Sequence, residues 1–175
     1  GWSLGEIAVP RAALALQDAG AKMITLHGRT KSQGYSGDAD WDLIERTARS
    51  LSIPLIGNGS AEKLAAGSLR GSACAGFMIG RAALGNPWVF LKVRGEIEGR
   101  EFTPPTPAER ARLALRYARL MCDGRDSGVS PENITHIRSQ TIRFLKGGAG
   151  FKKARVEILK IKTLDELENI LCGFF

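Results

Sequence analysis

Three short apolar segments, each followed by a turn and a helical pattern, constrain the fold of this chain most. The segments are Lys22-Met23-Ile24-Thr25-Leu26, Ile53-Pro54-Leu55-Ile56 and Gly76-Phe77-Met78-Ile79. None of them alternates polar with apolar residues, so each predicts a strand of a parallel sheet that helices cover. Three parallel strands cannot close a barrel, and they leave an unpaired edge at residues 23–26. The pattern therefore predicts an incomplete β/α barrel.

Helical patterns lie before, between and after these strands. They cover residues 7–19, 41–50, 61–69 and 81–97, with an interruption at Asn86-Pro87. Asp40 and Ser60 are suitable N-caps for the second and third of these helices. Each strand is thus predicted to lead through a short loop into a helix.

A proline-rich connector, Thr103-Pro104-Pro105-Thr106-Pro107, marks a change of pattern. Prolines at this density cannot continue a helix or pair as a central strand. After the connector only helical periodicity remains, at residues 108–123, 131–146, 151–159 and 164–171. We therefore predict an α/β domain over residues 1–103 and an all-α domain over residues 104–175.

Details of the helical domain can also be predicted. In its first helix Leu113, Tyr117 and Leu120 share one face, which predicts the core side. A break is predicted at Asp126-Ser127-Gly128, and Ser130 is the expected N-cap of the next helix. Thr163 is the expected N-cap of the last helix, with Glu166 as its capping-box partner.

The net charge of +7 is concentrated in the helical region. Residues 1–104 carry 12 Lys and Arg against 10 Asp and Glu, whereas residues 105–175 carry 13 against 8. This imbalance favours a polyanionic partner such as nucleic acid, although a solvated basic surface gives the same count.

Several classes of protein do not fit. No apolar run approaches the roughly 20 residues that span a bilayer, so no membrane association is expected. Cys74, Cys122 and Cys172 lack the spacing of a metal site or a disulfide framework. We expect reduced thiols, no metal and a cytoplasmic location.

Two predicted strand ends have the composition of an anion-binding loop. Gly57-Asn58-Gly59-Ser60 and Gly80-Arg81 both stand directly before a predicted helix. Glycines allow close backbone approach, and helix N-termini attract anions, so the pair predicts a phosphate site. Ordinary turn chemistry is the alternative for the first loop. The third candidate segment, His27-Gly28-Arg29-Thr30, follows the remaining strand. Its His27 is either a ligand contact or a satisfied core residue, and its position in the same layer as the two phosphate loops favours a ligand contact.

The same segments resemble a known family, the tRNA-dihydrouridine synthases. The resemblance rests on motifs in the expected order: Ile24 to Thr30, Gln33-Gly34-Tyr35-Ser36-Gly37, Asp40-Trp41, Ile53 to Gly59, Met78 to Trp88, Arg143 to Gly147, Arg155 and Thr163 to Leu167. The run from Met78 to Trp88 is the most discriminating of them.

The resemblance implies an FMN-binding (β/α)8 TIM barrel followed by a helical tRNA-binding domain. The three strands here would be its sixth, seventh and eighth, and the N-terminal half of the barrel would be missing. By resemblance the cofactor-binding residues are His27, Asn58, Gly59, Ser60, Gly80 and Arg81. The residues expected to face tRNA are Arg138, Arg143 and Lys146.

The implied activity is a flavoprotein oxidoreductase reaction of tRNA processing. Uridine in tRNA would be reduced to 5,6-dihydrouridine with FMN as cofactor and NADPH as electron donor. A cysteine would donate the proton, but none of Cys74, Cys122 and Cys172 matches its position. We therefore assign no catalytic residue here and expect this chain alone to be inactive.

Two other functions remain open at this point. A different FMN-dependent barrel oxidoreductase, acting on a small pyrimidine, would use the same phosphate loops. A non-catalytic RNA-binding helical module would need no flavin, so flavin retention distinguishes it from both enzymes.

Overall fold

A computed structural model describes residues 1–123, 131–147 and 150–175 of the chain. The chain forms two compact units. The first comprises Gly1–Ala82 and Val89–Phe102, and the second comprises Ala83–Trp88 and Thr103–Phe175. The predicted break at Asp126-Ser127-Gly128 and the predicted cap Ser130 lie outside the described residues.

A three-stranded parallel sheet organises the first unit. Its strands are β1 (Ile24–His27), β2 (Leu55–Asn58) and β3 (Gly76–Met78), in the order β1-β2-β3. The helices are α1 (Val9–Asp18), α2 (Trp41–Ser50), α3 (Ala66–Arg70) and α4 (Trp88–Glu98). The predicted parallel α/β arrangement is therefore confirmed.

One face of the sheet packs against α2. Leu26 and Leu55 form a buried cluster with Ile44 and Ala48 of that helix. Trp41, at the start of α2, contacts Phe77 of β3 with ring centroids 5.8 Å apart. As predicted, Asp40 caps α2, its carboxylate accepting a hydrogen bond from Leu43 N at 2.8 Å.

The helix predicted over residues 61–69 is wrong. A 3₁₀ turn at Ala61–Lys63 follows β2, and α3 begins only at Ala66 because Leu64 and Ala65 have extended backbone. Gly67 further lowers the intrinsic stability of a continuous helix. The stretch 81–97 is interrupted at Asn86-Pro87, as predicted: a 3₁₀ turn at Arg81–Ala83 precedes the interruption, and α4 follows it.

Four helices build most of the second unit: α5 (Pro107–Asp123), α6 (Pro131–Phe144), α7 (Phe151–Ile158) and α8 (Leu164–Cys172). Its core includes Ala111, Ala114, Leu115, Ala118, Ile134, Ile137, Leu145, Phe151, Ile158, Leu167 and Leu171. Leu113 and Tyr117 pack against this core, but the prediction for Leu120 is wrong, since its side chain is 63% exposed. Small alanines line the buried face of α5 instead, which permits close approach to its neighbours.

Hydrogen bonds at the helix starts refine the predicted caps. Thr163 Oγ1 accepts from Glu166 N at 3.2 Å, as expected of an N-cap. The Glu166 carboxylate, however, accepts from Lys162 N at 2.6 Å rather than from the N-cap residue. A reciprocal capping box at Thr106 and Glu109, which sequence analysis missed, starts α5.

Among the helices of the described residues, none is long and apolar enough to cross a membrane. Within the same ranges no three His, Cys, Asp or Glu side chains converge in a geometry that could hold a metal ion.

Candidate binding site at the strand ends

The carboxyl ends of the three strands bring the predicted site residues together. The register aligns His27 with Asn58 and Asn58 with Met78. Partners in a parallel register point to the same face, so these three side chains share the face opposite α2. Ligands of open parallel sheets bind at this edge.

A cavity of about 590 Å³ lies at this edge. All six residues predicted to bind a cofactor line it: His27, Asn58, Gly59, Ser60, Gly80 and Arg81. The remaining lining residues are Arg29, Tyr35, Gly37, Glu62, Lys63 and Ala82. Its size lies within the usual range of about 300–1,000 Å³ for small-molecule pockets.

The Asn58-Gly59 part of the lining is held by the residues around β1 and α2. His27 Nδ1 lies 3.2 Å from Asn58 Oδ1, and Gly28 N donates to Asn58 O at 3.0 Å. Because Oδ1 can only accept, His27 Nδ1 is the donor in this contact. Trp41 Nε1 donates to Gly59 O at 2.8 Å.

Close packing requires glycine at position 59. Its φ of +119° is strained for residues with a side chain. A Cβ there would stand 2.7 Å from Ala39 Cβ and 3.3 Å from the His27 ring. The backbone of Gly59 is thus pressed against the β1 loop.

Ser60 has an unusual backbone conformation for its residue type. Its φ of 54° and ψ of 30° are left-handed, and its side chain does not cap the turn that follows. The Ser60 hydroxyl instead accepts a hydrogen bond from Arg29 Nη2 at 3.0 Å.

The second loop contributes Gly80 and Arg81. A Cβ on Gly80 would meet no protein atom within 4 Å, so the space beside this residue is open. The Arg81 guanidinium stacks over the Tyr35 ring, 3.5 Å from its centroid. Tyr35 is itself 71% exposed and lines the same cavity.

The electrostatics of the cavity come from side chains more than from helix dipoles. Both loops lead into 3₁₀ turns of three residues, so the expected long helix N-termini are wrong. Arg29, Lys63 and Arg81 contribute positive charge to the lining, against the single carboxylate of Glu62. Such a lining favours an anionic ligand group.

Arg29 belongs to the predicted strand-end segment His27-Gly28-Arg29-Thr30 but was given no role there, and Tyr35 and Lys63 were not predicted as site residues. Arg29 lies two residues after His27 and Lys63 three residues after Ser60, so both follow predicted strand ends closely. Tyr35 lies in the segment Gln33-Gly34-Tyr35-Ser36-Gly37, which the family resemblance includes without giving Tyr35 a role. Only the folded loop brings its ring against Arg81.

The three residues expected to face tRNA lie in different environments. Arg143 and Lys146 are exposed at the carboxyl end of α6, where Arg110 Nη1 donates to Phe144 O at 3.3 Å. Arg138 is half-buried, and its guanidinium donates through Nε to Ile161 O at 2.7 Å. The structure therefore exposes two of the three and anchors the third.

Cys74 does not lie at the strand-end cavity. Burial raises the pKa of its thiol, and the nearby Glu45 carboxylate adds to this increase. Glu45 accepts from the Ser72 hydroxyl and from Ala73 N, which ties the segment before β3 to α2. Cys74 lines a different cavity, of about 420 Å³, with Phe77, Phe90 and other residues.

The fold and the site together define an α/β protein with a basic cavity at the carboxyl edge of a parallel sheet. The chain belongs to the dihydrouridine synthase (Dus) family, whose sequence model matches residues 1–171.

Curated relatives agree with this assignment. A probable tRNA-dihydrouridine synthase 1 of Synechocystis is 32% identical over 178 residues, covering 98% of this chain and 48% of that protein. Probable tRNA-dihydrouridine synthases of Mycobacterium leprae and Treponema pallidum are both 35% identical. The matches cover 87% and 86% of this chain and 40% and 45% of those proteins. The chain thus spans less than half the length of these relatives.

Proposed function

We propose that the full-length protein containing this chain is an FMN-dependent tRNA-dihydrouridine synthase that uses NADPH as electron donor. The observation that carries this proposal is the convergence of two successive strand-end loops on one basic cavity. Family membership supports it, and neither the small-pyrimidine oxidoreductase nor the non-catalytic module has comparable support.

The residues at the cavity fit the phosphate end of FMN. Gly59 and Gly80 allow the backbone to approach a ligand, and the side of Gly80 facing away from the protein is open. Arg81, Arg29 and Lys63 supply positive charge for a phosphate dianion. We assign Asn58, Gly59, Ser60, Gly80 and Arg81 to the phosphate end and His27 to the neighbouring part of the cofactor.

Bound FMN would supply hydride transfer to the uracil ring of the substrate. The residues of this chain would bind the cofactor and orient it. His27 is fixed by its Nδ1 hydrogen bond to Asn58, which orients the imidazole ring at the edge of the cavity. Arg81 is held in place by stacking on Tyr35.

The exposed face and edges of the sheet favour the proposal that it is part of a larger barrel. Thr25 and Met78 are exposed on the face opposite α2, and within the described residues β1 and β3 each pair only with β2. We propose that these are the last three strands of a (β/α)8 barrel and that the N-terminal half of the barrel covers the open face and edges. In such a barrel the final two loops commonly bind phosphate.

The helical unit is the proposed tRNA-binding domain, corresponding to residues 104–175. Arg143 and Lys146 are exposed, and we propose that they contact RNA phosphates. Arg138 acts on the same surface indirectly, because its guanidinium anchors the Ile161 carbonyl. Arg138 substitutions should therefore reduce stability before they reduce RNA affinity.

The test is the reaction of the full-length protein with unmodified tRNA, FMN and NADPH. We expect dihydrouridine in the tRNA and a flavin that copurifies with the protein. Flavin-dependent turnover of a free pyrimidine without reaction on tRNA would instead support the small-molecule enzyme.

The tRNA surface has its own test. The double variant R143A/K146A should bind tRNA more weakly and with a shallower salt dependence, because two phosphate contacts are lost. The double variant R11A/K22A removes the same charge from exposed positions in the first unit and serves as the control. Equal loss in both variants would contradict the assignment of this surface.

A further inference from the structure

The connection between β1 and α2, together with Trp41 at the start of α2, contacts every residue of the Asn58-Gly59-Ser60 segment. Gly28 N donates a hydrogen bond to Asn58 O, and Trp41 Nε1 donates one to Gly59 O. Arg29 holds Ser60 through its side-chain hydroxyl. The shape of the loop that follows β2 is therefore determined by contacts with other segments as well as by its own sequence.

Ser60 needs this support more than its neighbours. In the part of the chain that the structure describes, it is the only residue other than glycine with a positive φ. Serine reaches the left-handed region only against a steric preference that glycine lacks. Such a conformation persists where surrounding contacts determine it.

The Arg29 guanidinium also binds a second segment, at Gly37. Its Nη2 donates to Gly37 O at 2.9 Å and its Nε to the same carbonyl at 3.3 Å. The planar guanidinium thus bridges the Gly37 turn and the Ser60 hydroxyl. Lysine lacks the planar Nε and Nη2 pair that binds the Gly37 carbonyl, and its ammonium nitrogen lies one bond closer to the main chain than Nη2, so it cannot reproduce this geometry.

We infer that Arg29 is a positioning residue, which holds Ser60 in its left-handed conformation and so presets the loop for the cofactor phosphate. This inference rests on the proposed function of the cavity. Direct contact of Arg29 with the phosphate is the competing explanation, since Arg29 also lines the cavity. The two explanations differ in how substitutions at positions 29 and 60 combine.

The first measurement is FMN affinity of the full-length protein, for R29K, S60A and the double variant. R29K keeps the positive charge but loses the bridge between Gly37 and Ser60, so we expect FMN affinity to fall roughly tenfold or more. S60A removes the acceptor of the same bridge. The double variant should therefore lose no more FMN affinity than the single variant with the larger loss. Additive losses would show that Arg29 acts on the phosphate independently and would overturn the inference. R46K, at an exposed arginine of α2, is the control.

The second measurement is rescue by glycine. Glycine adopts the left-handed conformation without help, so S60G in the R29K background should restore most of the lost affinity. A direct phosphate contact by Arg29 could not be restored in this way, and failure of the rescue contradicts the inference.

Thermal unfolding of the flavin-free protein separates this inference from the proposed function. R29K should lower the Tm, and S60G should recover it, because the Arg29–Ser60 contact needs no ligand. If the unsubstituted protein binds no FMN, the proposed function fails, while the presence or absence of thermal rescue still decides the role of Arg29.

Discussion

Two glycines of the proposed phosphate site differ in what lies beside their Cα atoms. Gly59 faces Ala39 and His27, whereas Gly80 faces no protein atom within 4 Å. The first glycine is therefore required by the fold, and the second is available to a ligand. This difference leads to two predictions that the same assays can separate.

Gly59→Ala should both destabilise the protein and abolish flavin binding. The new Cβ meets Ala39 Cβ at 2.7 Å in a backbone conformation with φ of +119°. We expect a loss of about 1–3 kcal/mol or more in the free energy of unfolding, measured by urea denaturation. Gly67→Ala, in α3 with open space around it, is the control and should be neutral or mildly stabilising. Unchanged stability in G59A would contradict the packing described here.

Gly80→Ala should leave stability nearly unchanged and still weaken FMN binding. The added methyl group meets no protein atom within 4 Å, so only a bound ligand can clash with it. Equilibrium titration with FMN, beside urea denaturation of the same variant, measures both properties. Full FMN affinity in G80A would remove Gly80 from the proposed site.

The sequence allowed six residues to be predicted as one cluster at the strand-end cavity, because the carboxyl ends of parallel strands necessarily meet at one edge. It did not allow the roles of Arg29 and Lys63 to be predicted. Their roles depend on how the loop folds back, as in the hydrogen bond from Arg29 to the Gly37 carbonyl eight residues later. No periodic pattern encodes a contact of that kind.

At the scale of elements, the start of α5 depends on a capping box. Thr106 N donates to the Glu109 carboxylate at 2.7 Å, and Glu109 N donates to Thr106 Oγ1 at 3.2 Å. The hydrogen bond from the Thr106 backbone is the main cause of a lowered pKa for Glu109, and the Thr106 hydroxyl adds to it. This helix supplies much of the core of the second unit.

The lowered pKa gives a pH-dependent prediction. A carboxyl group with a depressed folded-state pKa stabilises the fold above its unfolded value of about 4.3, and this contribution is lost as the pH falls through the folded-state pKa. Glu109→Gln should therefore be less stable than the unsubstituted protein at neutral pH, and the difference should vanish in acid. Urea denaturation across this range is the measurement. A difference that is independent of pH would exclude a role for the carboxylate charge.

The turn before α4 belongs structurally to the helical unit. Gly85 has a φ of +69°, and a Cβ there would stand 2.4 Å from the Arg143 Cβ. Gly85→Ala should cost about 1–3 kcal/mol of unfolding free energy, measured by urea denaturation, with Gly67→Ala again as the control. An unaffected G85A protein would show that this packing is easily relaxed.

Helices with clear periodicity and caps were predicted well, whereas the segment after β2 was not. Residues 41–50 were predicted as a helix, and α2 has the same bounds. The segment after β2 begins at Ser60, whose left-handed backbone is stabilised by Arg29 and not by helix capping. Contacts outside the segment thus decide its form, and local propensity cannot reveal them.

At the scale of the whole molecule, the two units carry different parts of the proposed function. The first unit holds the basic strand-end cavity, and the second exposes Arg143, Lys146 and other cations. The prolines at 104, 105 and 107 lie directly after the boundary between the two units at residues 102 and 103. The membership of residues 83–88 in the second unit could not be predicted, because it follows from contacts such as that of Gly85 with Arg143.

The proposed function depends most on binding of the FMN phosphate group by the two strand-end loops. The most direct measurement compares the affinities of the full-length protein for FMN and for riboflavin, which lacks the phosphate. We predict a clear preference for FMN, and Arg81→Met should remove most of it, because one charge-assisted hydrogen bond contributes roughly 1.5–3 kcal/mol. Equal affinity for the two flavins, or a preference unchanged by R81M, would contradict the account.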